Sequence, residues 1–322
     1  MKKNHEDAAS KPTGENKGDL LFRRVCAACA LLAVLVMGGI FLQLLRQSAP
    51  CFREFGARFL FTMKWDPAGR QFGAASSVYG TLMSTAIAMA LACPVALVIA
   101  LFLVEMAHPV LSRIVGAGIE LLAAIPSIIY GMWGLFVFAP FMAGHVQPLL
   151  KKAFGSVPVL SALFEGPPMG LGLLTAGVIL ALMILPFICA VSRDVFLLVP
   201  DVVKESAYGM GATTWEATKD VTLRYGFQGI LGAGFLGLGR AVGETMAITF
   251  VIGNQHDISL SLLSAGNSIA STLANEFSEA SEPLYVSSLI ALGLVLFLMT
   301  FIIQVVAQLW LRRVARKMGR AS

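Results

Sequence analysis

Six apolar runs, nearly free of charge, limit what this chain can fold into more than any other feature of its sequence. Each is near or above the roughly 20 residues that a helix needs to cross a lipid bilayer. They lie at residues 25–45, 79–104, 117–141, 170–192, 228–252 and 284–310. Only 13% of the residues are charged, whereas soluble domains have about 25%, which excludes an ordinary soluble enzyme. We expect an all-α membrane protein with six transmembrane helices.

Basic residues at the ends of the runs predict the orientation. Outside the runs, 16 Lys and Arg residues lie on the side of the N-terminus and seven on the other side. Because basic residues accumulate in cytoplasmic loops, both termini are expected in the cytoplasm. The net charge of +5 reflects this placement, so we expect contact with membrane lipid and no nucleic-acid partner. The expected parts are a disordered cytoplasmic tail (1–24), a first transmembrane helix (25–45), a periplasmic loop (46–78), a five-helix core (79–310) and a basic cytoplasmic tail (311–322).

The periplasmic loop contains an aromatic pattern. Phe52, Phe55 and Phe59 recur at helical spacing with charged residues between them, and Trp65 follows. This pattern is typical of a short helix that lies in the membrane interface. Two interpretations remain open, an anchor in the interface and a docking surface for an external partner.

The longest cytoplasmic connection, 193–227, carries charged residues that alternate with apolar ones at loosely helical spacing. We expect two short amphipathic helices, broken near Gly209 and Gly211. Such helices either cover the ends of the spans or form a surface that docks a soluble partner.

The fifth run contains an arginine and a glutamate at membrane depth, Arg240 and Glu244. An arginine there costs about 2.5–3.5 kcal/mol on insertion scales, so it is rarely kept facing lipid. On a continuous helix the two side chains would share one face and lie close enough to pair. Gly239 and Gly243 have the GxxxG spacing that lets a neighbouring helix approach. The pair is either a structural ion pair or a site on a permeation path, where the planar guanidinium would match an oxyanion.

Proline interrupts the third run at Pro126, and Gly131 and Gly134 follow it. Proline removes one backbone hydrogen bond of a helix, so a kink is expected here.

Three stretches resemble a known family. Glu205, Ala207, Gly211 and Leu223 match the EAA motif of ABC-importer permeases in register, with Ser206, Val221 and Arg224 in place of its first Ala, its Ile and its Pro. The third-run stretch from Glu120 to Gly134 and the fifth-run stretch from Leu238 to Ala247 resemble the membrane subunits of phosphate ABC importers, and the likeness extends over residues 75–310.

The resemblance implies the type I ABC importer permease fold, of the MetI-like family, and a bacterial inner-membrane subunit of a phosphate importer. It implies three partners: a sister permease subunit, an ATPase homodimer, and a periplasmic or lipid-anchored phosphate-binding protein. It also implies the site residues, with Glu205, Ser206, Ala207, Gly211 and Leu223 in a loop that couples to the ATPase, and Arg240, Glu244 and Thr245 on the translocation path. The alternatives are a permease for another oxyanion (sulfate or molybdate), an oxyanion carrier independent of an ATPase, and a non-transporting sensor.

The sequence lacks the motifs of an enzyme. It has no G-x-x-x-x-G-K-[ST] run, so ATP and Mg²⁺ are expected in the partner ATPase and no cofactor on this chain. The four histidines have no metal-ligand spacing, and no Gly-x-Ser-x-Gly run occurs, so we expect neither a metal site nor a serine hydrolase.

Overall fold

The computed structural model describes residues 17–155, 157 and 161–318. Regular structure in these ranges is helical, apart from two isolated β-bridges, Asp66–Gln71 and Gly253–Gly266. The α-helices are Lys17–Phe55, Arg58–Phe61, Ala75–Leu101, Pro109–Ala123, Ser127–Trp133, Ala139–Phe141, Gln147–Phe154, Leu173–Leu197, Asp201–Gly209, Thr214–Glu216, Arg224–Val242, Met246–Val251, Ile269–Glu276 and Pro283–Met318, with π-helical turns at Phe102–Met106, Gly134–Phe138, Met142–Val146 and Ala217–Leu223 and a 3₁₀ turn at Ala162–Phe164.

Five helices of the described part are long and apolar enough to cross a membrane. They correspond to the expected first, second, third, fourth and sixth spans, at Gly18–Phe55, Ala75–Met106, Ser127–Phe154, Leu173–Leu197 and Pro283–Val314. The expected all-helical membrane architecture is therefore confirmed. The third span starts later than expected, because the run at 117–141 is divided between the helix Pro109–Ala123 and the helix that starts at Ser127, and the fifth span is broken as well.

Several helix ends lie outside the expected bounds. The first helix begins at Lys17, so residues 17–24 of the expected disordered tail are helical, and it continues to Phe55. The last helix runs to Met318, into the expected basic tail. Residues 1–16 and 319–322 lie outside the described residues. Hydropathy marks the part of a helix that suits lipid, whereas the backbone hydrogen bonds continue into the polar flanks.

Internal contacts divide the chain into two units, Met1–Gln47 and Ser48–Ser322. The second unit is built around the second and fourth spans. Four alanines of the second span lie one helical turn apart and are fully buried; they are Ala88, Ala92, Ala96 and Ala100. They pack against Ile179, Leu180, Met183 and Ile184 of the fourth span in one core cluster. Small side chains on one helix let the two backbones approach closely.

The aromatic residues of the expected periplasmic loop lie inside the protein. Phe59 is fully buried, and Phe52 packs edge-on against it with ring centroids 5.8 Å apart. Both belong to an outer cluster, which also includes Phe55, Cys51, Trp65, Phe72, Ala74, Ile269, Leu289, Ala291 and Leu292. The expected interfacial helix is therefore replaced by the end of the first helix and a short turn of helix, because these rings find apolar partners on the last span.

Candidate functional site

The fifth span is broken beside its arginine. Its first helix ends at Val242, residues Gly243, Glu244 and Thr245 are not helical, and a second helix begins at Met246. Non-helical backbone at membrane depth occurs where it is buried in protein or lines a water-filled cavity. The break therefore marks this stretch as a place where lipid is excluded.

The break separates Arg240 from Glu244, so the expected ion pair on one helix face is wrong. The carboxylate oxygen Glu244 Oε1 accepts a hydrogen bond from the Ala247 backbone N–H at 3.2 Å, near the start of the second helix. Among the described residues, the ion pairs within 4.0 Å do not include Arg240. The first N–H groups of a helix have no partner within the helix, so a carboxylate beside them is stabilised.

The Arg240 guanidinium is exposed on the surface of the chain. Its Cζ atom lies 5.9 Å from the centre of the Phe187 ring of the fourth span. It is also near enough to the Tyr130 hydroxyl of the third span to act on it electrostatically. A cation held over an aromatic ring gains about 0.5–2 kcal/mol, which orients the side chain and leaves its N–H donors available.

Pro126 also ends a helix instead of kinking it. The helix Pro109–Ala123 stops, and Pro126 takes an extended backbone (φ −57°, ψ 137°) as the cap of the helix that starts at Ser127. In a continuous helix, residue 126 would donate its N–H to the Leu122 carbonyl, and proline has none. The Tyr130 hydroxyl donates to the Leu122 carbonyl oxygen at 3.0 Å, which stabilises the break.

The third and fifth spans pack together next to their breaks. A Cβ atom placed on Gly131 would lie 2.7 Å from the Phe250 ring and 3.0 Å from the Met246 carbonyl oxygen. Only glycine allows this approach, because real Cβ atoms are almost never so close to other atoms. Two helix breaks, one arginine and one tyrosine thus lie in the same region of the chain.

The two GxxxG glycines differ in their surroundings. A Cβ on Gly239 would lie 2.5 Å from Gln304 Nε2 of the sixth span, and Gln304 Nε2 donates to the Phe235 carbonyl at 3.3 Å. Gly243 is exposed and lies in the break. Gly239 therefore lies against the sixth span, and Gly243 lies against no other span in the described residues.

The long loop contains the two expected helices. The loop helix Asp201–Gly209 holds Glu205 and Ser206 exposed and Ala207 buried. Gly211, two residues after the helix, closes its C-terminal turn with φ +89°. The Gly211 N–H donates to the Tyr208 carbonyl at 2.9 Å, and the Ala212 N–H donates to the Ala207 carbonyl at 3.1 Å. Only glycine adopts this left-handed backbone without strain, which explains the residue type at this place of the motif.

Large apolar side chains lie exposed on this loop. Met210 is 84% exposed, Val202 71% and Trp215 67%. Exposed apolar side chains that form a contiguous patch are typical of interaction surfaces.

The second part of the loop is continuous with the fifth span. It starts at Thr213, whose hydroxyl accepts from the Glu216 N–H while the Glu216 carboxylate accepts from the Thr213 N–H and hydroxyl. These bonds lower the pKa of Glu216. Helix then runs from Thr214 through Leu223 to Val242. Arg224, at the place of the motif's proline, is compatible with this continuity because it keeps its backbone N–H.

The contacts of two glutamates were not predicted from the sequence. Glu105, at the end of the second span, accepts hydrogen bonds from Lys204 Nζ at 2.7 Å and Thr222 Oγ1 at 2.8 Å. Glu276, near the outer cluster, accepts from Trp65 Nε1, from the Tyr285 hydroxyl at 2.9 Å and from His256 Nε2 at 3.0 Å. Burial by itself raises the pKa of Glu276, but these hydrogen bonds outweigh it and hold the pKa below its ordinary value. Glu105 lies 99 and 117 residues from its two partners, and Glu276 lies 211 residues from Trp65, so no spacing pattern points to these contacts.

No group of three or more His, Cys, Asp and Glu side chains that could hold a metal ion occurs within the described ranges.

Comparison with known proteins places the chain in a family. Residues 92–320 match the family model described as binding-protein-dependent transport system inner membrane component. A protein of Mesorhizobium japonicum named phosphate transport system permease protein PstC is 50% identical, over 94% of this chain and 92% of that one. Its namesake in Pasteurella multocida is 49% identical, over 94% of each chain.

A solved structure has the same fold. The bacterial alginate ABC transporter, in complex with an alginate pentasaccharide-bound periplasmic protein, matches with a TM-score of 0.59 at 17% identity, over 91% of this chain and 96% of that chain. The chain therefore belongs to the binding-protein-dependent transport system inner membrane component family and has the fold of a type I ABC importer permease, a multi-pass inner membrane protein.

Proposed function

We propose that this chain is a membrane-spanning permease subunit of an ATP-driven phosphate importer. The observation that carries the proposal is the similarity to phosphate transport permeases over 94% of the chain, at 49–50% identity. The exposed loop surface and the arginine beside a helix break support it, because an importer of this kind needs both a docking surface and a path.

The path is proposed at the break of the fifth span. Arg240 would donate to a phosphate oxygen through its planar fork of N–H groups. Glu244 holds the break through Oε1, and its other oxygen would accept from a protonated phosphate oxygen. Thr245 completes the lining. A sister permease subunit, PstA-like, would face Arg240 and close the path against lipid.

The coupling surface is proposed at the loop. A PstB-like ATPase homodimer, which binds ATP and Mg²⁺, would receive the loop helix with Glu205, Ser206, Ala207 and Gly211, and Leu223 would join this surface to the core. This chain itself would bind no cofactor. Both termini would lie in the cytoplasm, and a PstS-like phosphate-binding protein, periplasmic or lipid-anchored, would deliver phosphate to the opposite side.

A second candidate is a permease for another oxyanion, such as sulfate or molybdate. Arginine donates to any of these ions, so Arg240 alone does not separate them. A fully deprotonated sulfate would be repelled by Glu244, whereas a protonated phosphate would donate a hydrogen bond to it.

The test is uptake of radiolabelled phosphate by cells that lack their own importer and carry this chain with its partners. Arg240→Gln should assemble and lower uptake at least about tenfold, since a hydrogen bond to a charged group contributes about 1.5–3 kcal/mol. Arg113→Gln, an exposed arginine outside the spans, is the matched control and should transport normally.

Glu205→Lys should lose the copurifying ATPase, whereas Glu279→Lys, an exposed glutamate of another loop, should keep it. Sulfate and molybdate are added as competitors. Uptake that persists without the ATPase, or that sulfate abolishes, would contradict the proposal.

A further inference from the structure

The carboxylate of Glu105, at the end of the second span, contacts two helical segments that lie 99 and 117 residues further along the chain. Oε1 accepts from Lys204 Nζ of the loop helix at 2.7 Å and from Thr222 Oγ1, just before the fifth span, at 2.8 Å. Glu105 itself is on the last turn of the second span. One oxygen atom thus holds the loop helix to the ends of two spans.

This contact is shielded from water. The Glu105 side chain is 7% exposed and the Lys204 side chain 15%, which is the least exposed ion pair in the described part of the chain. Thr222 is buried as well. Ion pairs on the surface are screened by solvent and contribute little to stability, whereas removing one partner of a buried, hydrogen-bonded pair is strongly destabilising. Breaking this link would therefore leave a buried charge without its partner, which is costly.

The two spans change their helical geometry at the link. Glu105 lies in the π-helical turn Phe102–Met106, and Thr222 lies in the π-helical turn Ala217–Leu223. The Ala107 N–H donates to the Phe102 carbonyl at 2.8 Å, five residues back. A π-helical turn costs stability in an isolated helix and is retained mostly at functional sites. Here both turns present a side chain to the same contact.

We propose that Glu105 is a positioning residue for energy coupling, through which a displacement of the loop helix moves the second and fifth spans together. This inference rests on the proposed function, because it requires an ATPase that displaces the loop helix. Coupling between distant sites needs a contiguous element with discrete arrangements. The Glu105 link makes the loop helix and the ends of both spans one such element.

A second ion pair near the same loop provides the control. Arg193 Nη1 lies 3.3 Å from Glu120 Oε1, and the Glu120 side chain is 63% exposed. This pair joins the fourth span to the helix Pro109–Ala123 and does not involve the loop helix. Loss of a carboxylate charge at Glu120 should therefore leave coupling unchanged.

The experiment uses the complete transporter in proteoliposomes with its binding protein and measures phosphate transported per ATP hydrolysed. Glu105→Gln keeps the shape of the side chain and removes its charge. Thr222→Val keeps the shape of the threonine side chain and removes its hydrogen bond to Glu105. Lys204→Arg keeps the positive charge and an N–H donor at this position.

Glu105→Gln should assemble, hydrolyse ATP and transport at least about fivefold less phosphate per ATP, the lower end of common coupling effects. Thr222→Val should lower the ratio in the same direction by a smaller factor. Lys204→Arg and Glu120→Gln should keep the wild-type ratio. A role in folding alone would lower the amount of assembled complex, but the assembled molecules would still transport the wild-type amount of phosphate per ATP hydrolysed.

The inference is overturned if Glu105→Gln assembles and couples like the wild type, or if Glu120→Gln lowers the ratio as much. If Glu105→Gln does not assemble, Thr222→Val decides: wild-type coupling in that variant overturns the inference, and a lowered ratio supports it. Absence of ATP-dependent phosphate transport by the wild type would instead refute the proposed function, so the two failures are distinguishable.

Discussion

Replacement of Gly211 by alanine should loosen the loop helix, and the same replacement at Gly209 should tighten it. Gly211 has φ +89°, and no atom lies within 4 Å of a Cβ placed there. The cost of alanine is therefore conformational alone, about 1–2 kcal/mol for a left-handed backbone. Gly209 is the last residue of the loop helix and is equally open. Alanine there should gain up to about 1 kcal/mol, the difference in helix propensity.

Hydrogen exchange of the loop-helix amides, followed by mass spectrometry, measures both effects, because local opening governs their protection. A tenfold change in protection corresponds to about 1.4 kcal/mol. Gly211→Ala should lower protection about five- to thirtyfold, and Gly209→Ala should raise it about two- to fivefold. Equal effects of the two variants, or a rise in protection with Gly211→Ala, would refute the assignment of Gly211 as the left-handed end of the helix.

Three further predictions concern stability in detergent, measured by thermal unfolding. The pKa of Glu276 is lowered in the folded protein, so its contribution to stability is present above about pH 4.3, the ordinary glutamate pKa, and is lost as the pH falls through the lower folded pKa. Glu276→Gln should therefore be less stable than the wild type at pH 7 and should lose this dependence on acid. An unchanged acid dependence in the variant would contradict the prediction. Ala92→Leu, in the fully buried stripe, should destabilise by about 1–3 kcal/mol through overpacking, whereas Val98→Leu, 64% exposed, should not; equal melting would argue against the close packing. Tyr130→Phe should cost about 1 kcal/mol, since it leaves the Leu122 carbonyl without the hydroxyl that it accepts from, and no change in melting would mean that water replaces it.

Much of the fold was predictable from hydropathy. Five of the expected spans appear as long apolar helices, and the loop is helical on both sides of the expected break near Gly209 and Gly211. Its second helix is not a separate short one, because it continues into the fifth span. These predictions succeed because the bilayer leaves a chain few choices other than helix. The family resemblance likewise agrees with the family that the comparisons show.

The break of the fifth span was not predictable from periodicity. Arg240 and Glu244 stand four residues apart, and on a continuous helix they would share a face. The helix instead ends at Val242 with Gly243 as its cap, and Glu244 Oε1 accepts from the Ala247 N–H at the start of the next helix. A sequence pattern gives only the spacing of residues along the chain. The hydrogen-bond partner of a carboxylate depends on which donors are unpaired in the folded protein.

The aromatic loop and Glu105 show the same limit. The spacing of Phe59 alone predicts a residue in the membrane interface, but in the structure it packs in one cluster with residues of the last span. Glu105 is separated from Lys204 by 99 residues and from Thr222 by 117 residues, and each of the three taken singly is an ordinary polar residue. Contacts between distant segments carry this information, and a single sequence does not display them.

The unbroken helix from Thr214 to Val242 has a mechanical consequence. At 1.5 Å per residue, Thr222 lies about 12 Å from Thr214 and about 27 Å from Arg240. If the Glu105 contact at Thr222 is the pivot, the arm toward the arginine is roughly twice the arm toward the loop. A tilt of about five degrees then moves the loop end by about 1 Å and the guanidinium by more than about 2 Å. A displacement of that size is enough to make or break a hydrogen bond, so under the proposed function a small rotation near the loop would change the contacts of Arg240.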